Sequence, residues 1–135
     1  MSSVDAATRA EIEELMARYC HRVDHADPEG WAALFTADGI FEVVGVMQMQ
    51  GTEQLKAMPS TVTEHGAGTW RHQITNITTE QGSDPNIVHV EAYGLVTEWR
   101  EGNKLVTFSD YRIELRRIGG VLRIAKLAAT TAGMA

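Results

Sequence analysis

The apolar pattern of this chain switches from a helical to a strand period near Gly39, and that switch limits the folds open to it. From about Asp5 to Val23, Ile12, Leu15, Met16, Tyr19 and Val23 recur at the three- and four-residue spacing of one buried helical stripe. Either Asp5 or a Thr8/Glu11 capping box can start that helix. The pattern breaks at Asp27-Pro28-Glu29-Gly30, where Asp27 caps and Pro28 opens a second short helix carrying Trp31, Leu34 and Phe35 inward. Ala37-Asp38-Gly39 reads as a turn. Beyond it the period is two. Ile40 to Val46 reads as a strand, Met47 to Gln50 as its continuation or partner, and Thr52 to Met58 as a short helix stopped by Pro59. Thr61 to Gly68 is ambiguous. Four strands follow, Trp70 to Glu80, Ile87 to Arg100, Lys104 to Arg117 and Val121 to Thr130, joined through Gly82-Ser-Asp-Pro-Asn, Glu101-Gly-Asn and Gly119-Gly120. Helices first and a strand meander last is an α+β plan, in which a strongly curved antiparallel sheet wraps the N-terminal helices and closes into a cone around a pocket.

A chain of 135 residues fits one domain, spanning 1–135, that buries a core without disulfides or metal. Its formal charge of -6 argues against a nucleic-acid or anionic-membrane surface, since it has no excess of cations to release counterions. Cys20 is the only cysteine, so neither an internal disulfide nor a cysteine-built zinc cage can form, and a cytoplasmic setting is expected. The first residues lack the basic-then-apolar order of a signal peptide, and no apolar run approaches the ~20 residues of a membrane span.

Against this background His72 stands out. It lies in Thr69-Trp-Arg-His-Gln-Ile-Thr-Asn, whose alternation puts the imidazole on one face with Trp70, Ile74 and Asn76. Such a histidine is either a satisfied core residue or a proton-transfer group at a pocket wall. Asp24 lies four residues beyond Cys20 and in line with the apolar stripe of the first helix. It either terminates that helix or points inward to hold an imidazole, fixing its tautomer and freeing the second nitrogen as a base. Tyr19 is core or, at a cavity wall, polarises a substrate oxygen. Trp31, Phe41, Met47, Trp70 and Tyr93 divide between core and the lining for a flat organic ligand, with Asn76 as a polar contact. His21 and His25 have helical metal-ligand spacing but no third ligand, and His65 and His89 read as surface residues. With no Gly-rich phosphate loop and no serine-nucleophile elbow, no cofactor or metal is expected.

The segments Ala17-Arg-Tyr-Cys-His-Arg-Val-Asp-His-Ala-Asp-Pro-Glu-Gly-Trp, Leu34-Phe-Thr-Ala-Asp-Gly-Ile-Phe-Glu, Arg71-His-Gln-Ile-Thr-Asn and Tyr111-Arg-Ile-Glu-Leu-Arg-Arg-Ile-Gly-Gly, in this order, resemble the SnoaL-like branch of the nuclear transport factor 2-like superfamily. The resemblance covers nearly the whole chain and implies a conical α+β barrel with a deep pocket, used by dehydratases, isomerases, cyclases and epoxide hydrolases and by non-catalytic subunits. The Asp-x-x-Asp-x-x-x-Trp run from Asp24 is similar to the segment bearing the catalytic aspartate of scytalone dehydratase, and His72 to the strand histidine paired with it. Tyr19 resembles the carbonyl-polarising tyrosine of ketosteroid isomerase, but Val43 or Val44 stands near that enzyme's base position and argues against its mechanism.

These readings lead to a cofactor-independent lyase, most simply a dehydratase, acting on a small cyclic or aromatic hydroxylated compound through Asp24, His72 and Tyr19. An isomerase or polyketide cyclase on the same scaffold is the near alternative. A non-catalytic ligand-binding module, or the small subunit of a ring-hydroxylating dioxygenase, is the distant one. Apolar residues on both parities of Ile87 to Arg100 point to a homodimer or homotrimer formed sheet to sheet.

Overall fold

A computed structural model describes residues 2–100 and 102–134, the last two by backbone alone; Glu101 of the expected Glu101-Gly-Asn turn lies outside the described residues. Helices α1 (Ala6–Asp24) and α2 (Pro28–Ala32) come first. Strands β1 (Phe35–Val43) and β2 (Met47–Gln50), helices α3 (Thr52–Leu55) and α4 (Ala57–Gly66), and strands β3 (Trp70–Gln81), β4 (Ile87–Glu98), β5 (Lys104–Ile118) and β6 (Val121–Met134) follow. The strands form one curled sheet in the order β2-β1-β6-β5-β4-β3. Neighbours are antiparallel, as the curved antiparallel sheet expected from the sequence requires, except that β1 and β6 run parallel.

Helix α1 starts at Asp5, whose Oδ1 accepts from the backbone N–H of Thr8 at 2.7 Å; the Thr8/Glu11 box is not the cap. Its buried stripe is Ile12, Leu15, Met16, Tyr19, Cys20, Val23 and Asp24. Glu11 pins the helix to the β5–β6 hairpin, accepting from Arg117 Nη1 at 3.0 Å and from the backbone N–H of Leu122 at 3.1 Å. The helix closes in a Schellman arrangement: the N–H of Asp27 donates to the carbonyl of Arg22 at 3.0 Å while Ala26 takes φ +53°. An alanine fills the left-handed position that glycine usually occupies.

Three boundaries differ from expectation. Helix α2 ends at Ala32, so Phe35 opens β1 instead of closing a helix. Ala37-Asp38-Gly39 is not a turn but an irregularity inside β1, where the register against β6 shifts between Phe35 and Ile40. A Cβ on Gly39 would lie 2.8 Å from Phe35 Cβ, so the close approach of the chain there requires glycine. Pro59 does not stop a helix either; it falls in the first turn of α4, where a missing N–H goes unused, and the ambiguous residues beyond it continue as helix to Gly66. The β5–β6 hairpin turns through Gly119 and Gly120, both at positive φ as a two-residue turn of the primed type needs.

The core lies between α1, α2 and the inner face of the sheet. Trp31 is its centre, fully buried, with ring centroids 4.8 Å from Phe35, 5.5 Å from Tyr19 and 5.8 Å from Phe41. Its Nε1 has no hydrogen-bond partner, so its contribution is that of an apolar ring. Trp31→Ala should therefore lower stability by about 3–5 kcal/mol, and Trp31→Phe, which keeps an aromatic ring and loses no hydrogen bond, by clearly less. Urea denaturation of the two variants reads this ordering, and equal losses would contradict it.

Candidate functional site

Strand β3 is an edge strand, so alternate backbone N–H groups along it face away from β4 and need acceptors from elsewhere. Helix α1 supplies them. The N–H of His72 donates to Asp24 Oδ2 at 2.8 Å, and that of Ile74 to the Cys20 thiol. Residues two apart on a strand are separated by about 6.6 Å and residues four apart on a helix by about 6 Å, so Asp24 and Cys20 match His72 and Ile74 in spacing. The helix runs antiparallel to the strand and caps its edge.

The second Asp24 oxygen completes the site. Oδ1 lies 2.6 Å from His72 Nδ1, in a pair whose side chains are 3% and 11% exposed respectively. A carboxylate only accepts, so Nδ1 carries a proton, and in the neutral imidazole Nε2 is then the acceptor nitrogen. One carboxylate thus grips both the backbone and the ring of His72, which orients the imidazole as firmly as a side chain on a strand can be held. Asp24 also ends α1, so its helix-terminating and site-building roles coincide.

His72 lines a cleft of about 510 Å³ between α1 and β3, open to solvent, with Met16, Cys20 and Ile74 on its walls and Arg9, His21 and Asn76 toward its rim. Asn76 does not share the His72 face as the alternation predicts. It takes φ +56° at a bulge between Thr75 and Thr78, is exposed, and hands the inward face to Ile77. Asparagine tolerates that conformation better than most residues, which is the sequence's only signal of the break.

Tyr19 does not line this cleft. It is 2% exposed, meets the His72 ring edge-on at 6.5 Å and 74°, and is hydrogen-bonded through its hydroxyl to Tyr111. Tyr111 in turn lies over Gly94, where a Cβ would come within 2.2 Å of its Cζ. Neither Tyr111 nor Gly94 is singled out by the sequence pattern, because their pairing with Tyr19 arises across the sheet. The other expected lining residues divide. Trp31 and Phe41 are core, Met47 is half-buried at the core's edge, and Trp70 stands half-buried near α4 with its ring 6.4 Å from that of His65. Tyr93 projects from the outer face of the sheet, 43% exposed and 5.6 Å from Phe108, away from the dyad.

His21 and His25 stack at 6.1 Å on the exposed side of α1. Among the described residues no three His, Cys, Asp or Glu side chains are grouped to hold a metal, and no helix is long and apolar enough to cross a membrane.

The groups beside the dyad are held neutral. Burial pushes the Cys20 thiol up to about 12, helped by the negative charge of Asp24 and opposed by the Ile74 N–H. Burial likewise raises both Tyr19 and Tyr111 well above the usual phenol range.

A family model described as SnoaL-like domain matches residues 4–128. The chain belongs to this family. No curated protein matches the SnoaL-like chain, but many solved structures do. Aln2 from a Streptomyces species is 26% identical over 96% of this chain and 94% of that one, with a TM-score of 0.86. Rv3472 from Mycobacterium tuberculosis, a protein of unknown function, is 27% identical over 95% and 73%, with a TM-score of 0.80. A protein from Catenulispora acidiphila, solved in complex with S-DNPA, is 25% identical over 94% and 95%, with a TM-score of 0.78. The SnoaL-like family includes cyclases and isomerases, so the scaffold is one for isomerase- or cyclase-type chemistry or for ligand binding.

The raised thiol and phenols predict alkaline sensitivity. In the unfolded chain these groups ionise near pH 8.5 and 10, whereas the fold retains their protons. Their stabilising contribution is complete below the unfolded values and is lost as pH rises through the folded ones. Urea midpoints should fall from about pH 8.5 upward, and Cys20→Ala should flatten the first part of that decline. An unchanged slope in the variant would contradict the assignment to Cys20.

Proposed function

We propose that this SnoaL-like protein is a cofactor-independent lyase of the scytalone dehydratase kind, removing water from a small cyclic or aromatic hydroxylated compound. The observation that carries the reading is the double grip of Asp24 on His72, which leaves Nε2 as the acceptor nitrogen of a ring that borders an open cleft. In this mechanism Nε2 takes a proton from the carbon next to a carbonyl or activated ring, and Asp24 stabilises the imidazolium that forms. The electron pair released forms the new double bond as the neighbouring C–O bond breaks. The imidazolium then returns its proton to the departing hydroxyl, which leaves as water, and His72 is restored. Tyr19 serves here as packing for the imidazole and not as the group that polarises the substrate oxygen, because its hydroxyl is buried against Tyr111.

The same proton abstraction starts an isomerisation or a cyclisation when the carbanion is reprotonated elsewhere or attacks a carbonyl. The family's known range keeps that reading next in order. A non-catalytic pocket would need the bond from the His72 backbone to Asp24, which closes the strand edge, but not the one from the ring.

A screen of small aromatic and polyketide-like compounds by thermal shift, followed by product analysis of those that bind, tests the proposal. With a substrate in hand, His72→Gln should lower kcat by about 10²- to 10⁴-fold while melting near the parent temperature. Asp24→Asn should be comparably damaging, since its amide can donate to Nδ1 and so place the ring proton on Nε2. Treatment with EDTA should leave activity unchanged. Binding without turnover, or turnover indifferent to His72→Gln, would overturn the lyase reading in favour of a ligand-binding module.

The outward face of β4 and β5 supports a reading of the chain as a homodimer or homotrimer. Tyr93 and Phe108 pack there with tilted rings 5.6 Å apart, Trp99 is 51% exposed with Arg71 over its ring at 5.7 Å, and Glu91 stands opposite Arg112 in register. Paired opposite charges beside an apolar strip are self-complementary across a two-fold axis. Light scattering at micromolar concentration should give a multiple of 14.9 kDa, and a monomeric mass would count against it.

A further inference from the structure

A second cleft, of about 350 Å³, opens where the C-terminal end of α4 meets the ends of β3 and β4 and the start of β5. Its register with the dyad is defined. Trp70 pairs with Glu98 and Glu98 with Lys104, so these three side chains stand in one row across β3, β4 and β5. His72 and Val96 form the next row of the same face, about 6.6 Å further along.

The cleft combines a rigid aromatic wall with cations. Trp70 lies on the backbone of Gly66, where a Cβ would come within 2.4 Å of its Cγ, packs against the core, and has the His65 ring beside it at 6.4 Å and 30°. His65 Nδ1 donates to the carbonyl of Thr61 at 2.8 Å, so this ring too is anchored and leaves Nε2 as its second polar atom. At the floor the Glu98 carboxylate, 9% exposed, accepts from Thr69 Oγ1 at 3.0 Å and from the backbone N–H of Arg100 at 2.9 Å. Arg100 and Lys104 line the cleft with it, two cations to one carboxylate among these residues, on a chain whose formal charge is -6.

We propose that this cleft binds the anionic end of a flat aromatic ligand, with the ring against Trp70 and a carboxylate between Arg100 and Lys104. The aromatic wall supplies area at small entropic cost because it is already fixed, and the cations supply charge-assisted hydrogen bonds. As an anchor for the non-reacting end of a substrate of His72 it rests on the lyase reading; as a binding site it does not.

The test is a binding measurement on the intact protein, with 2-naphthoate and the neutral, similarly shaped 2-naphthol as probes and ¹H–¹⁵N spectra to locate them. Naphthoate should shift the Trp70 indole N–H and bind more weakly as salt is added. The exposed-site double variant Arg100→Gln/Lys104→Gln should lose about tenfold in naphthoate affinity at an unchanged melting temperature, with naphthol unaffected. Trp70→Leu should weaken both probes. Equal affinities for the two probes, shifts confined to Met16 and Ile74 in the other cleft, or no binding at about 5 mM would each overturn the proposal. Because no turnover is read, failure here leaves the Asp24–His72 mechanism untouched, and failure of that mechanism leaves this site standing.

Discussion

One carboxylate joins the two halves of this fold. Asp24, at the last turn of α1, accepts from both the backbone and the ring of His72, 48 residues away in sequence. Without an acceptor there, the edge of β3 would leave a nearly buried N–H unsatisfied, at a cost of roughly 1–3 kcal/mol. Cys20 and Ile74 repeat the arrangement one turn earlier with a weaker acceptor. The helix thereby does for β3 what a further strand would do, and the edge is closed to pairing with other chains along that stretch. The geometry that closes the edge is the same geometry that fixes the imidazole. Structure and chemistry here draw on a single interaction, so a variant at Asp24 tests both at once, while His72→Gln, whose amide can still donate to Asp24, bears mainly on the chemistry.

The legible parts of the fold are those set by local patterning. The α1 stripe, the four long strands and the Gly119-Gly120 turn follow from spacing, because side chains on a helix or strand face repeat at fixed intervals. The illegible parts depend on partners far away in sequence or on residues acting against type. Ala26 in a left-handed position, Pro59 inside a helix and Gly39 inside a strand each look like a different signal when read locally. The parallel pairing of β1 with β6 leaves no mark on either segment, since both alternate as strands in any sheet.

The candidate site divides in the same way. Asp24 and His72 are marked by their positions on otherwise apolar faces, and their meeting is legible to that extent. Simple alternation places Asn76 on the His72 face, and a one-residue bulge reverses it. Tyr93 reads as lining because the pattern does not tell the inner from the outer face when both carry aromatic residues. Tyr111 and Gly94 carry no local mark, because a glycine's missing side chain is informative only once the ring that fills its place is known.

That glycine explains why the side of the imidazole turned toward the core is uncharged, while Arg9 and Glu13 belong to the cleft on its other side. Gly94 admits the Tyr111 ring, Tyr111 engages the Tyr19 hydroxyl, and Tyr19 presents its ring edge to His72. Burial keeps both phenols and the Cys20 thiol protonated, so none of them adds a negative charge that would compete with Asp24 for the imidazolium. A neutral, tightly packed wall leaves Asp24 as the charged group in direct contact with the ring, so its stabilisation is directed to the imidazolium that appears during reaction.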